Sequence, residues 1–144
     1  NAMNEQLWHF TVVSDANTIE QMNKATIAGI EKSGFSFLQN KITQPEYHTF
    51  YHAPAVIVIS AKEEKFTAFD CGAAAENIAL AAFEKNIGSC IIGSAEFMFS
   101  ENPEMHTVLK IPENYHFVCA ISLGYFEKTT AVSERNEDVI DYIA

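Results

Sequence analysis

Apolar and polar positions alternate in blocks that predict a succession of strands and helices. Residues Trp8–Val13 combine aromatic and β-branched side chains and precede a turn-forming Ser-Asp pair, which predicts a strand. Apolar residues then recur on one face of a helix that we expect to be capped by Asn17 or Thr18 and to run to about Lys32. Gly34 marks the end of this helix.

The remaining chain repeats this pattern. Ala55–Ser60 is a continuous β-branched run, typical of a strand buried on both faces. Phe66–Asn86 is predicted to be the longest helix, and Ser89–Ile92 a short strand that ends at a glycine. Pro103–Lys110 is expected to form a short helix, and His116–Leu123 the last strand.

Strands separated by helices predict an α/β or α+β sandwich. With 144 residues, the chain is expected to form one domain spanning residues 3–144. The pair Asn1-Ala2 before Met3 is interpreted as a cloning remnant. Glu137–Ile143 is expected to form a short terminal helix or strand.

The longest predicted helix is rich in small residues. Seven alanines and Gly72 lie between Ala68 and Ala82, spread over most of the helix circumference. Such a helix packs either against the sheet alone or against both the sheet and a second copy of the chain. We favour the second interpretation, a homodimer, because four strands offer little core and leave edges that need cover.

Composition excludes several classes of function. Hydrophobic residues make up 48% and charged residues 19%, which excludes a disordered chain. The chain has nine basic and 19 acidic residues, which gives a net charge of −10. Neither a nucleic acid nor an anionic membrane is therefore an expected partner. The longest apolar run, Ala53–Ile59, is too short to span a membrane, and no signal peptide is predicted. Three scattered cysteines indicate reduced thiols in a cytoplasmic protein.

Side-chain spacing alone identifies no catalytic or metal site. His48 and His52 have the i, i+4 spacing of two zinc ligands, but no glutamate follows the first histidine. We interpret both as partly exposed histidines without a metal. The chain also lacks the glycine-rich dinucleotide fingerprint and the nucleophile elbow of hydrolases.

An ordered set of segments resembles the FMN-dependent nitroreductase family. Asn4–Val13 is similar to the family's Asn-x-Gln-Pro-Trp-x-Phe start of strand one. Asp70–Ala82 and Asn86–Gly93 are similar to its central helix and its flavin-facing strand. Leu109–Tyr115 and Leu123–Tyr125 are similar to the residues before its final strand and to the end of that strand.

The resemblance implies an α+β fold with a central mixed β-sheet flanked by helices. It also implies a homodimer that holds FMN at its interface and takes hydride from NAD(P)H. A nitroaromatic, a quinone or a similar acceptor would then take the electrons in a ping-pong cycle, with no catalytic side chain. In the family, the residue matching Asn4 bonds the flavin ring edge, and Gln6 belongs to the same motif. Backbone at Ile92 and Gly93 lies near the ring's reactive nitrogen, and Arg135 matches a phosphate contact.

Some positions depart from the family pattern. Leu7 replaces the usual proline, and Glu76 stands where a glutamine is usual. Family members usually carry a helix with an Arg-Arg-Ser-x-Arg motif before the Asn-x-Gln motif, and this sequence starts almost at the Asn-x-Gln motif. These departures favour one alternative, a non-catalytic dimeric relative that has lost or weakened FMN binding or that binds another small flat ligand. A further alternative is an unrelated small α/β domain, for instance a metal-dependent enzyme that uses His48 and His52.

Overall fold

A computed structural model describes residues 1–126, 131–136 and 138–143 of the chain. None of its helices is long and apolar enough to cross a membrane, within the residues described. The strands are β1 (Trp8–Val13), β2 (Ala55–Lys62), β3 (Gly88–Ile92) and β4 (Tyr115–Gly124). The helices are α1 (Ala16–Lys32), α2 (Ser36–Ile42), α3 (Thr67–Glu84), α4 (Met98–Glu101) and α5 (Met105–Val108).

The four strands form one sheet in the order β1-β2-β4-β3. All three neighbouring pairs are antiparallel, so the prediction of a mixed sheet is wrong, whereas the α+β class is confirmed. The reason lies in the last strand. β2 and β3 run in the same direction through the crossover helix α3, but β4 inserts antiparallel between them.

Helices cover both faces of the sheet. On one face, Val56 and Val58 of β2 pack with residues of α1, such as Met22, in the larger core. On the other face, Ile59 packs against Cys71 of α3. The prediction that the β2 segment is buried on both faces is therefore confirmed.

The N-cap of helix α1 lies two residues before Asn17 and three before Thr18, the two caps that the sequence predicts. Asp15 is the N-cap, and its Oδ1 accepts hydrogen bonds from the backbone N and the Oγ1 of Thr18, at 2.8 and 2.7 Å. These hydrogen bonds to the charged form lower the pKa of Asp15. The helix ends at Lys32, as the sequence predicted.

The segment after β3 differs most from its prediction. A 3-10 turn over Ser94–Phe97 leads into α4, a helix the sequence did not reveal, and the predicted helix Pro103–Lys110 is limited to α5. α1 packs closely on this turn at Gly29. A Cβ at this position would clash with the Phe97 carbonyl oxygen, so the close approach requires glycine. Residues 138–143 form a turn and irregular backbone, while Glu137 lies outside the described residues.

Candidate functional site

The two N-terminal amide residues of the predicted site lie together. Gln6 Nε2 donates a hydrogen bond of 3.0 Å to Asn4 Oδ1, and both side chains are exposed. Their φ angles are +57° for Asn4 and +52° for Gln6, in the left-handed region that non-glycine residues rarely adopt. The backbone N of Lys62 donates to the Leu7 carbonyl oxygen at 3.1 Å, which fixes this segment to the sheet.

The end of β3 presents a buried residue followed by an open backbone surface. Ile92 is buried in the larger core, so its side chain is not available to a ligand. Gly93 is exposed, and a Cβ placed on it would meet no atom within 4 Å. The backbone at Gly93 therefore faces open space that a flat ring could occupy.

The sheet order separates these two parts of the site. β1 and β3 are the two edge strands, with β2 and β4 between them. Three spacings between neighbouring strands separate β1 from β3 by about 14 Å. The start of β1 and the end of β3 nevertheless point to the same end of the sheet, because β1 is antiparallel to β2, β2 to β4 and β4 to β3. One copy of the chain thus presents the amides and the Gly93 backbone at one end but at opposite edges.

Arg135 lies apart from the other predicted site residues. It is exposed in irregular backbone and lines a shallow surface depression with Glu134, Asn136 and Asp138. None of the other four predicted site residues lines that depression. The carboxylates of Glu134 and Asp138 therefore make these surroundings acidic, which disfavours an anionic ligand.

The histidine pair differs from its sequence interpretation. His52 is exposed, but the side chain of His48 is only 6% exposed, so the interpretation of both as partly exposed is wrong for His48. Their rings lie with centroids 4.3 Å apart. Across the described part of the chain, no group of three or more His, Cys, Asp or Glu side chains could hold a metal ion. No sequence signal distinguishes the buried histidine from its exposed neighbour.

A cleft lies at the opposite end of the sheet, where β3 begins and β4 ends. It has a volume of about 380 Å³ and is lined by Tyr51, Cys90 and Ser122 among others. Interaction with the Cys90 thiol, followed by burial, raises the pKa of Tyr51. The sequence did not single out this cleft, because its walls come from segments distant along the chain.

Helix α3 carries two apolar stripes on opposite sides. The inner stripe, with Cys71 and Ala75, packs on the sheet. The outer stripe is exposed: Phe69 is 78%, Leu80 58% and Phe83 75% accessible. Large apolar side chains in an exposed row are typical of a surface that another chain covers.

The comparisons with known proteins agree on one family. The sequence profile of the Nitroreductase family matches residues 1–125. A protein of Archaeoglobus fulgidus, provisionally named an NADH dehydrogenase/NAD(P)H nitroreductase, is 33% identical over 135 residues. That alignment covers 87% of this chain and 64% of the relative, so the chain spans less than two thirds of the curated relative it matches.

Two solved structures are similar over the whole chain. A nitroreductase with bound FMN from Desulfitobacterium hafniense superimposes with a TM-score of 0.89 at 27% identity, covering 100% of this chain and 79% of the other. A nitroreductase with bound FMN from Bacteroides fragilis gives a TM-score of 0.90 at 26% identity, covering 100% and 80%. Both likenesses extend over the amides, the end of β3 and the described tail.

Proposed function

Because the chain belongs to the Nitroreductase family, we propose that it is an FMN-dependent oxidoreductase. In this proposal, hydride passes from NAD(P)H to a nitroaromatic, a quinone or a similar acceptor in a ping-pong cycle. The family match, with an open backbone surface at Gly93 where the family's flavin-facing strand ends, carries the proposal. FMN, when bound, supplies the hydride chemistry, and the protein supplies binding and orientation.

The residues at the end of the sheet fit the ring of a flavin. A flat ring can lie against the Gly93 backbone, because no atom beyond its two chain neighbours lies within 4 Å of the position that a Cβ would take. The exposed amides of Asn4 and Gln6 offer both donors and acceptors, which suit the alternating carbonyl and N–H groups of a flavin ring edge. Ile92 contributes its backbone, since its side chain belongs to the core.

The phosphate of FMN fits this chain less well. A phosphate is bound best by charge-assisted contacts from guanidinium groups. Arg135 is the one arginine of the sequence, and it shares its depression with Glu134 and Asp138. The net charge of −10 further disfavours an anion. We propose that this chain binds the ring of the cofactor more effectively than its phosphate.

A homodimer completes the site in our proposal. The amides and the Gly93 backbone lie at opposite edges of one sheet, so two copies facing each other bring the amides of one to the β3 end of the other. The exposed outer stripe of α3 supplies an apolar surface for that contact. FMN would then lie at the dimer interface.

We also propose a cytoplasmic location. Cys71, Cys90 and Cys119 are free thiols, as expected in a reducing compartment. Burial, followed by the charges of Cys119 and Asp70, raises the pKa of Cys71 to about 11, so this thiol stays protonated and unreactive.

Anaerobic reduction tests the proposed activity. Purified protein is incubated with FMN, NADH or NADPH is added, and the flavin absorbance is followed before and after addition of a quinone. We expect protein-dependent bleaching by at least one nucleotide and recovery of the absorbance with the quinone. Flavin binding without bleaching by either nucleotide would instead support the non-catalytic relative, for which the carboxylates beside Arg135 are the favouring observation.

A further inference from the structure

The loop from His48 to Pro54 folds around one imidazole ring. His48 Nδ1 accepts hydrogen bonds from the backbone N of Phe50 at 3.1 Å and of His52 at 3.3 Å. The His48 carbonyl oxygen accepts a third, from the backbone N of Tyr51 at 3.0 Å. Because Nδ1 is an acceptor, the neutral ring carries its proton on Nε2.

Two titratable groups face this ring. From α1, Glu20 Oε2 lies 3.5 Å from His48 Nε2, and Glu20 also forms an ion pair with the exposed Lys24. From the loop itself, the ring of His52 lies against that of His48, with the two ring planes tilted by 40°. Burial first, and then the proximity of His52, lower the pKa of His48, although Glu20 opposes both effects. His48 is therefore neutral at physiological pH.

The loop backbone is held in an unfavourable conformation. Tyr51 and His52 both have φ of +54°, in the left-handed region, and neither is glycine. Such residues persist only where the surrounding contacts hold them. Here the contacts include the two hydrogen bonds to His48 Nδ1, so the ring and the strained turn depend on each other.

This loop is also the wall between two clefts. One cleft, of about 310 Å³, opens beside the start of α1 and is lined by Ser14, Glu20 and His48 among others. The second is the cleft of about 380 Å³ that contains Cys90. His52, Ala53 and Pro54 line both clefts, so a movement of this segment changes both at once.

We propose that His48 is an acid-sensitive latch that keeps the 48–54 loop closed while its ring is neutral and releases the loop when Nδ1 is protonated. A proton taken from solvent onto Nδ1 converts the acceptor into a donor, which then faces the N–H groups of Phe50 and His52. Both amides lose their acceptor, the left-handed turn relaxes and the two clefts join.

The direction of the pH dependence follows from the hydrogen bonds. The closed loop disfavours the protonated ring, so the closed state binds fewer protons than the open state. Its stability is fully present above pH 6.5, the ordinary pKa of histidine, and is lost as the pH falls below that value.

Amide hydrogen exchange measured by NMR tests the latch. Protection factors for the Phe50 and His52 amides are compared at about pH 7.5 and about pH 5, on either side of the histidine titration. We expect the wild-type protection to fall by roughly tenfold at the lower pH, because each amide loses one hydrogen bond to the ring.

Two substitutions at His48 separate the acceptor from the titration. His48→Asn places an amide oxygen near the position of Nδ1 but cannot be protonated, so protection should persist at both pH values. His48→Gln lacks an acceptor at that position, so both amides should exchange rapidly even at the higher pH. His116→Asn, at an exposed histidine of β4, is the matched control and should behave as the wild type.

Unchanged wild-type protection between the two pH values would overturn the latch, as would a wild-type pH dependence in His48→Asn or full protection in His48→Gln. If the His48 variants do not fold, the ¹⁵N shifts of the wild-type ring decide. A ring that is unprotonated at Nδ1 until the two amides lose protection supports the latch. A proton on Nδ1 at about pH 7.5 contradicts it.

Discussion

At the scale of single residues, Gly93 matters for space and not for backbone conformation. Its φ of −74° and ψ of −37° are accessible to any residue, so the fold does not require glycine there. The open surface above it would be filled by a side chain, however, and a flavin ring needs that surface. Substitution at Gly93 can therefore separate ligand binding from folding.

Gly93→Val is expected to abolish flavin binding while leaving the fold intact. The branched side chain occupies the space of the ring but meets no protein atom near its Cβ. Quenching of flavin fluorescence on titration measures binding, and circular dichroism checks the fold. Ser89→Val, at an exposed position near the other end of the same strand, is the matched control and should bind flavin normally. Unaltered affinity in Gly93→Val would place the ring elsewhere.

A buried hydroxyl in β2 gives a stability prediction. Ser60 is fully buried beside a β-bulge, and its Oγ has no hydrogen-bond partner among the described residues. Ser60→Ala should raise the free energy of unfolding by about 1 kcal/mol, because an unsatisfied polar group is removed. Thr26→Val is the contrasting control, since Thr26 Oγ1 donates to the Met22 carbonyl oxygen at 2.8 Å.

Urea denaturation at one fixed protein concentration measures both variants. Thr26→Val should lower the free energy of unfolding, whereas Ser60→Ala should raise it. A loss of stability in Ser60→Ala similar to that in Thr26→Val would show that the Ser60 hydroxyl has a partner.

At the scale of elements, the sequence predicts units better than it predicts their arrangement. The bounds of β1 were predicted correctly, because aromatic and β-branched residues run between clear turn signals. The antiparallel arrangement of the sheet was not predicted, because the order of strands along the chain does not reveal that β4 inserts between β2 and β3. The separation of α4 from α5 has a local cause: Asn102 precedes a proline, which disfavours helical backbone at that residue.

The exposed stripe of α3 gives a prediction about assembly. Phe83→Glu should convert the proposed dimer to a monomer, because it puts a charge into an apolar contact. Phe37→Glu in α2 is the matched control, since Phe37 is 69% and Phe83 75% exposed, and it should leave the assembly unchanged. Sedimentation at micromolar concentration measures the mass. A wild-type chain that sediments as a monomer would contradict the proposed dimer.

At the scale of the whole molecule, the candidate site is distributed, and the sequence could identify its parts only through family resemblance. Neither the residue types nor the spacing of Asn4, Gln6 and Gly93 indicate a site. These residues share only their location at the same end of the sheet. The buried state of His48 arises from packing against α1, a contact between segments far apart in sequence. Local patterns therefore predict strands and helices, while burial and site assembly depend on long-range contacts.

Calorimetric titration with FMN and with riboflavin, which lacks the phosphate, tests the central claim most directly. We expect both flavins to bind, with poor discrimination between them, because the ring surface is present and the one arginine of the sequence, Arg135, lies in acidic surroundings. Arg135→Ala should reduce FMN affinity by roughly tenfold, the loss of one charge-assisted contact, and leave riboflavin affinity unchanged. Failure of both flavins to bind the wild-type chain would contradict the assignment of a flavin site. Tight FMN binding that survives Arg135→Ala would contradict the proposed role of this arginine.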